Sequence, residues 1–221
     1  MRKKTTIMFD FDGTLMDTNE IIIQSWQHTF RTVAGHEADR NVLLATFGEP
    51  LVLTMKNFFG VEGEKAQEYI DIYRNFQKDI FLDAISLFPG VTEMLDQLRD
   101  QGYRMALTTS RLKKTTLMAV ESFNIGPYFE VIITADDCSR HKPDPEPINV
   151  TLAKMGVPKE EAVMVGDTTM DTGCAANAGV TSVLVGWSMA LSDPEKRKSA
   201  NADFIINEPS ELLGILNDLN A

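Results

Sequence analysis

The chain has 221 residues, 43% hydrophobic and 24% charged, an ordinary globular composition with room for one sizeable core or for a core and a small second domain. A formal net charge of −11 argues against general nucleic-acid binding but not against a phosphorylated substrate, because one bound metal reverses the field of a local site. No run approaches the ~20 apolar residues of a spanning helix, and Ile7–Phe9 is too short for a secretory segment, so the expected location is cytoplasmic, with no membrane partner and with Cys138 and Cys174 as reduced thiols.

Thr5–Phe9 is short, apolar and β-prone and runs into a loop containing Gly13, the pattern of a buried strand. Glu20–Val33 sets Ile22, Trp26, Phe30 and Val33 near one face and predicts a helix. Residues 38–84 give further helix-like stretches, punctuated by Gly48, Pro50, Gly60 and Gly63, and no convincing strand. From Phe88 the rhythm changes. Pro89–Gly90 opens a helix that reaches Gln101 and stops at Gly102. Arg104–Thr109 then predicts a strand, Lys113–Phe123 a helix, Val131–Ala135 a strand, and Glu146–Met155 a helix ended by Gly156. Ala162–Val165 predicts a strand, Met170–Ala178 a helix ended by Gly179, Ser182–Val185 and Phe204–Ile206 two more strands, and Ser210–Leu219 a closing helix with Ser210 as its N-cap. Strands alternating with helices predict an α/β fold, a parallel sheet covered on both faces, with a helical insertion after its first strand.

In such a sheet, ligands bind beyond the carboxyl ends of the strands. Four predicted strands end in polar residues there: Asp10 and Asp12, Thr109 and Ser110, Asp136 and Asp137, Asp167 and Asp171. In Asp10-Phe11-Asp12-Gly13-Thr14 one carboxylate can attack phosphorus while the other handles a proton, with Thr14 placed to orient the second; the plain alternative is an acidic, helix-capping turn. Asp167 joins Asp10 and Asp12 in an all-oxygen set that suits Mg²⁺, and Asp171 lies in the first turn of a helix, where an N-cap role is the alternative. Crowded carboxylates need cations, and phosphoryl transfer is mainly positioning and charge neutralisation. Lys142, within a proline-rich run, is the candidate fixed positive charge, and Thr109 and Ser110 can bind phosphate oxygens or merely cap a strand end.

These pieces, in this order, resemble the haloacid dehalogenase superfamily at full length: Asp10–Thr14 matches its first motif, Thr109 the second, Lys142 the third, and Gly166–Asp171 the fourth. The resemblance implies a Rossmann-like core over residues 1–17 and 83–221, with an α-helical cap inserted over residues 18–82. It implies Asp10 as nucleophile and Mg²⁺ ligand, and Asp12 as general acid and base that lends its backbone carbonyl to the metal. Thr109 binds the phosphoryl group, Lys142 neutralises charge, Asp167 ligates Mg²⁺ and Asp171 supports the metal shell. Within the superfamily, Asp17–Glu20, Tyr73–Phe76, Lys142–Pro147 and Ala175–Gly179 resemble the phosphoglycolate phosphatases and their pyrophosphatase relatives, above all the bacterial inorganic pyrophosphatases linked to HPr dephosphorylation. The segment Gly48–Leu51 departs from that group by placing an acidic residue, Glu49, where an uncharged one is expected.

The reading is a Mg²⁺-dependent phosphohydrolase for pyrophosphate, phosphoglycolate or another small phosphorylated metabolite, with Arg74 and Lys78 as the cap cations for an acidic leaving group and a solvated helix face as their alternative. A phosphomutase of the β-phosphoglucomutase type and a non-catalytic regulatory protein on the same fold are the competing readings. His28, His36 and His141 are scattered and do not resemble metal ligands, Trp26 and Trp187 read as packing, and Cys174 is expected to pack against the sheet.

Overall fold

A strand such as Thr6–Phe9, apolar throughout and buried at every position, is stable only where both faces of its sheet are covered. The computed structural model describes residues 3–47, 49–191 and 194–221 and meets that requirement. After β1 (Thr6–Phe9) and β2 (Met16–Asp17) come α1 (Asn19–Ala34), α2 (Arg40–Leu44), α3 (Leu51–Phe59) and α4 (Gly63–Ile80). The chain then alternates: β3 (Ser86–Leu87), α5 (Val91–Asp100), β4 (Arg104–Thr108), α6 (Lys113–Ser122), β5 (Val131–Ile133), α7 (Glu146–Met155), β6 (Ala162–Gly166), α8 (Thr169–Ala178), β7 (Thr181–Val185), α9 (Pro194–Ser199), β8 (Phe204–Ile206) and α10 (Leu212–Asn220).

Six strands form one parallel sheet in the order β5-β4-β1-β6-β7-β8. Phe9 stands opposite Leu107 on one side and Val165 on the other. The chain therefore builds outward from β1 first through β4 and β5, then through β6, β7 and β8, and the carboxyl end of β1 is the point where the winding reverses. Period-2 alternation sends Met8, Ala106 and Met164 to one face, where they pack with Ile148, Leu152 and Met155 of α7 and Cys174, Ala175 and Ala178 of α8. Cys174 thus packs as expected, and burial pushes its thiol up to about 11.

By compactness the chain divides into one unit ending at Asp17 and resuming at Leu87, and a second unit of Thr18–Ser86. The second unit has its own core, in which Trp26 and Phe30 of α1 meet Met55 and Phe58 of α3 and Ile70 and Tyr73 of α4. Several of its aromatic pairs meet edge to face, an arrangement that ring quadrupoles favour: Trp26 and Phe58 lie 5.2 Å apart at 89°, and Phe59 and Tyr69 lie 5.4 Å apart at 90°.

Two expectations are corrected, and one element was not foreseen. The strand predicted to reach Ala135 ends at Ile133, because Thr134 caps a 3-10 turn over Ala135–Asp137, its N–H and hydroxyl both donating to Asp137 Oδ2 at 3.0 and 2.7 Å. Ser210 does not cap the last helix; it lies within a 3-10 turn, Pro209–Glu211, and Glu211 precedes α10. The polar helix α9 was not anticipated, since PEKRKS carries no apolar stripe. Gly48, in the segment that departs from the pyrophosphatase pattern, lies outside the described residues. No helix among the described residues is long and apolar enough to cross a membrane.

Trp26 is 2% exposed at the centre of the aromatic cluster. Trp26→Ala is expected to cost the helical unit about 3–5 kcal/mol, read as an earlier urea transition for that unit and faster proteolysis within Thr18–Ser86.

Candidate active site

Asp10 is the first residue beyond β1. Its N–H donates to the Val165 carbonyl at 2.8 Å, which continues the ladder to β6 and fixes where the carboxylate leaves the sheet. The chain then turns tightly: the N–H groups of Leu15 and Met16 both donate to the Phe11 carbonyl, and that of Gly13 donates to the Met16 carbonyl. Gly13 has φ 75°, and a Cβ there would stand 2.0 Å from Asp167 Oδ2. A Cβ on Gly166 would stand 2.3 Å from that of Asp171. Both glycines are demanded by carboxylates that pass against bare backbone.

The Lys142 side chain is 2% exposed, and its Nζ donates to Asp10 Oδ1 at 2.7 Å and to Asp171 Oδ1 at 2.6 Å. The other oxygen of Asp171 accepts from the N–H and hydroxyl of Thr168, at 3.1 and 2.7 Å, in a capping box at the start of α8. The capping arrangement expected as the plain alternative for Asp171 is therefore present, and its other oxygen meets Lys142, a pairing the sequence did not indicate. Asp167 accepts a 2.6 Å hydrogen bond from Ser188 Oγ, whose oxygen in turn accepts the Ala190 N–H at 3.2 Å.

One oxygen from each of Asp10, Asp167 and Asp171 lies within 4.8 Å of the others. Burial, opposed by Lys142, raises the Asp10 carboxyl to about 7. Burial and repulsion from Asp171 and Asp10 hold Asp167 well above the usual carboxylate range. Burial works against the Lys142 charge, but Asp10 and Asp171 outweigh it and hold the ammonium above its ordinary value. With Asp10, Asp12, Asp167 and Asp171 ionised, Lys142 and Arg111 offset only part of the charge. The donor set is entirely oxygen, and the buried Thr14 hydroxyl has no hydrogen-bond partner among the described residues. These residues fit a hard divalent cation.

The remaining expected residues divide. Thr109 is buried at the end of β4, its N–H donating to the Ile133 carbonyl and its Oγ1 accepting the Arg111 N–H at 3.1 Å. Thr14 is buried, and its carbonyl accepts Trp187 Nε1–H at 3.0 Å. Ser110 is exposed, as is His141, and Arg74 and Lys78 lie exposed on α4 in the helical unit. The Asp12 carboxylate is not among the three clustered acids; it accepts from Arg111 Nη1 at 2.8 Å. Asp136 and Asp137 have structural work, Asp136 accepting the Lys113 N–H at the start of α6 and Asp137 closing the Thr134 turn. Sequence reasoning missed Arg111 and Ser188. Arg111 lies two residues after Thr109 and was findable by that placement, whereas Ser188 belongs to no motif and reaches Asp167 only through the return of the chain after β7.

A parallel sheet with this winding, acids after β1 and β6, a threonine after β4 and a buried lysine defines a hydrolase of the phosphoryl-transfer kind. The chain belongs to the haloacid dehalogenase-like hydrolases, whose family pattern it matches over residues 7–185. It is similar to the pyrophosphatase PpaX of Bacillus velezensis, 35% identical over 214 residues and 97% of each chain, and to that of Bacillus cereus, 34% identical over 218 residues and 99% of each chain. Among solved structures it shares its fold with a haloacid dehalogenase-like hydrolase from Streptococcus pneumoniae (TM-score 0.86, 24% identity, 97% of this chain and 99% of that one). It also shares it with a hydrolase from Pseudomonas syringae (TM-score 0.82, 22% identity, 99% and 100% covered).

Because burial raises the folded-state pKa of Asp10 to about 7, the stabilisation from its protonated form is complete below the ordinary carboxylate range and is lost as pH rises through about 7. In EDTA, Asp10→Asn is therefore expected to melt well above wild type at pH 8.5 and close to it at pH 4, by thermal denaturation.

Proposed function

We propose that this chain is a Mg²⁺-dependent phosphohydrolase that works through an aspartyl-phosphate on Asp10, with pyrophosphate as its preferred substrate and phosphoglycolate as the next candidate. The observation that carries the reading is the buried Lys142 held at 2.7 Å from Asp10 among Asp167 and Asp171. The pyrophosphatase names of the full-length relatives support the choice of substrate.

Asp10 Oδ1 is occupied by Lys142, which leaves the other oxygen to attack phosphorus. As the Asp10–phosphorus bond forms, the bond to the leaving oxygen breaks and Asp12 gives that oxygen a proton. Thr109 and Lys142 hold the phosphoryl oxygens. Asp12 then removes a proton from water, the water oxygen bonds to phosphorus, and the Asp10–phosphorus bond breaks to release phosphate. Asp10, Asp167 and the Asp12 carbonyl are the residues proposed to hold Mg²⁺, with Asp171 supporting them, and the ion when bound supplies charge neutralisation for the transferring phosphoryl group. Thr14 braces the loop that carries Asp12, and Ser110 offers a further phosphate contact. The helical unit is proposed as the cap, with Arg74 and Lys78 as its cations for an acidic leaving group. Two free thiols accord with a cytoplasmic enzyme.

Phosphate release from pyrophosphate, phosphoglycolate, sugar phosphates and nucleotides, with Mg²⁺ and with EDTA, tests the reading. Mg²⁺-dependent release that is fastest on pyrophosphate is expected, with Asp10→Asn at least about a thousandfold slower. Isomerised sugar phosphate without free phosphate would overturn it in favour of a mutase. Ser188→Ala is expected to weaken Mg²⁺ binding about tenfold, because an outer-shell partner orients its carboxylate; calorimetry without substrate reads this directly, and unchanged affinity would remove Ser188 from that role.

A further inference from the structure

Arg111 is the group the mechanism leaves unused. Its side chain is 9% exposed, and its Nη1 donates to Asp12 Oδ1 at 2.8 Å. The rest of the residue is fixed on three sides. Nε donates to Thr115 Oγ1 at 3.1 Å, the peptide N–H donates to Thr109 Oγ1 at 3.1 Å, and the carbonyl accepts the Ala135 N–H at 3.0 Å. A guanidinium so placed is preorganised beside the proposed acid and tied by its backbone to the proposed phosphoryl-binding threonine.

The Asp12 side chain is 30% exposed, against 12% for Asp10, 4% for Asp171 and 2% for Lys142. Asp12 is therefore the most open of these acids, and Arg111, itself 9% exposed, backs it from a buried position. On the mechanism above, the leaving oxygen stands within about 3 Å of the Asp12 carboxylate when it takes its proton. When Asp12 Oδ1 gives the proton, Arg111 Nη1 then lies at most about 6 Å from that oxygen, within reach of an anionic group one or two bonds beyond it. An arginine fork matches phosphate or carboxylate geometry in two hydrogen bonds and offers nothing comparable to a neutral alcohol or phenol.

We infer that Arg111 is a specificity residue that receives the negative charge of the leaving group, and so selects phosphoryl compounds with an anion one or two bonds beyond the scissile oxygen: a second phosphate first, then a carboxylate across one methylene. As the incoming anion takes the guanidinium hydrogen bonds, Asp12 loses its ion-pair partner, takes up a proton from solvent and turns it toward the leaving oxygen. This inference rests on the phosphohydrolase reading of the site.

The test is steady-state kinetics of wild type, Arg111→Gln and Arg111→Lys on pyrophosphate, phosphoglycolate and phenyl phosphate, whose leaving group is uncharged beyond the scissile oxygen. Melting temperature and Mg²⁺ affinity serve as controls for folding and for the metal site. Arg111→Gln is expected to lose about 100-fold in kcat/KM on the two anionic substrates and less than about fivefold on phenyl phosphate, with Arg111→Lys in between. An equal loss on all three substrates would overturn the inference and make Arg111 a positioning residue for Asp12. No loss on any would overturn it as well. The phosphohydrolase reading is judged separately, by wild type alone: absence of Mg²⁺-dependent turnover on every substrate would overturn that reading, whereas wild-type turnover with an unselective Arg111→Gln defect overturns only the inference.

Discussion

A lysine ammonium buried to 2% exposure is costly unless anions surround it, and buried carboxylates are costly unless a cation neutralises them. Lys142 between Asp10 and Asp171 satisfies both conditions at once. Lys142 is the cation that both carboxylates share, so β1, the Lys142 segment and the start of α8 must come together for the lysine to be stable in its buried position. The same arrangement leaves the carboxylate charge only partly offset. Such an imbalance fits the divalent cation proposed for this site.

Neighbouring features serve the same cluster. The glycines at 13 and 166 allow carboxylates to pass against bare backbone at distances no Cβ would permit. Thr168 and Ser188 each hold one oxygen of Asp171 and Asp167, so the acids are aimed by hydrogen bonds and not only by the backbone. The parallel sheet sets the frame, since Asp10, Thr109 and Asp167 each follow one of three adjacent strands at their carboxyl ends. Asp12 and Arg111 form a second, more open ion pair at the edge of this frame. On the proposed mechanism, the division separates groups that hold the transferred phosphoryl from groups that meet what it leaves.

Much of this was legible before any coordinates. Apolar runs of strand length alternating with helical stretches specify a covered parallel sheet, because a strand without polar positions has no face to offer water. Strand-end acids, the Gly-Thr after Asp12 and the lone lysine among prolines pointed to Asp10, Asp12, Thr109, Lys142, Asp167 and Asp171, and the structure draws Asp10, Lys142, Asp167 and Asp171 together. Local pattern failed where polar residues had two uses. Asp136 and Asp137 match the strand-end rule as well as Asp167 does, yet they cap α6 and a 3-10 turn.

What the sequence determined by itself was the set of elements and the kind of chemistry, because hydrophobic periodicity and short motifs are local properties of the chain. What tertiary structure alone decided was which polar groups meet. Lys142 reaches a residue 132 positions away in sequence, Arg111 one 99 positions away, and Ser188 one 21 positions away. Nothing local encodes such pairings. They follow from strand order and register, which bring distant loops to one sheet edge and set the ångström-scale spacing on which charge neutralisation depends.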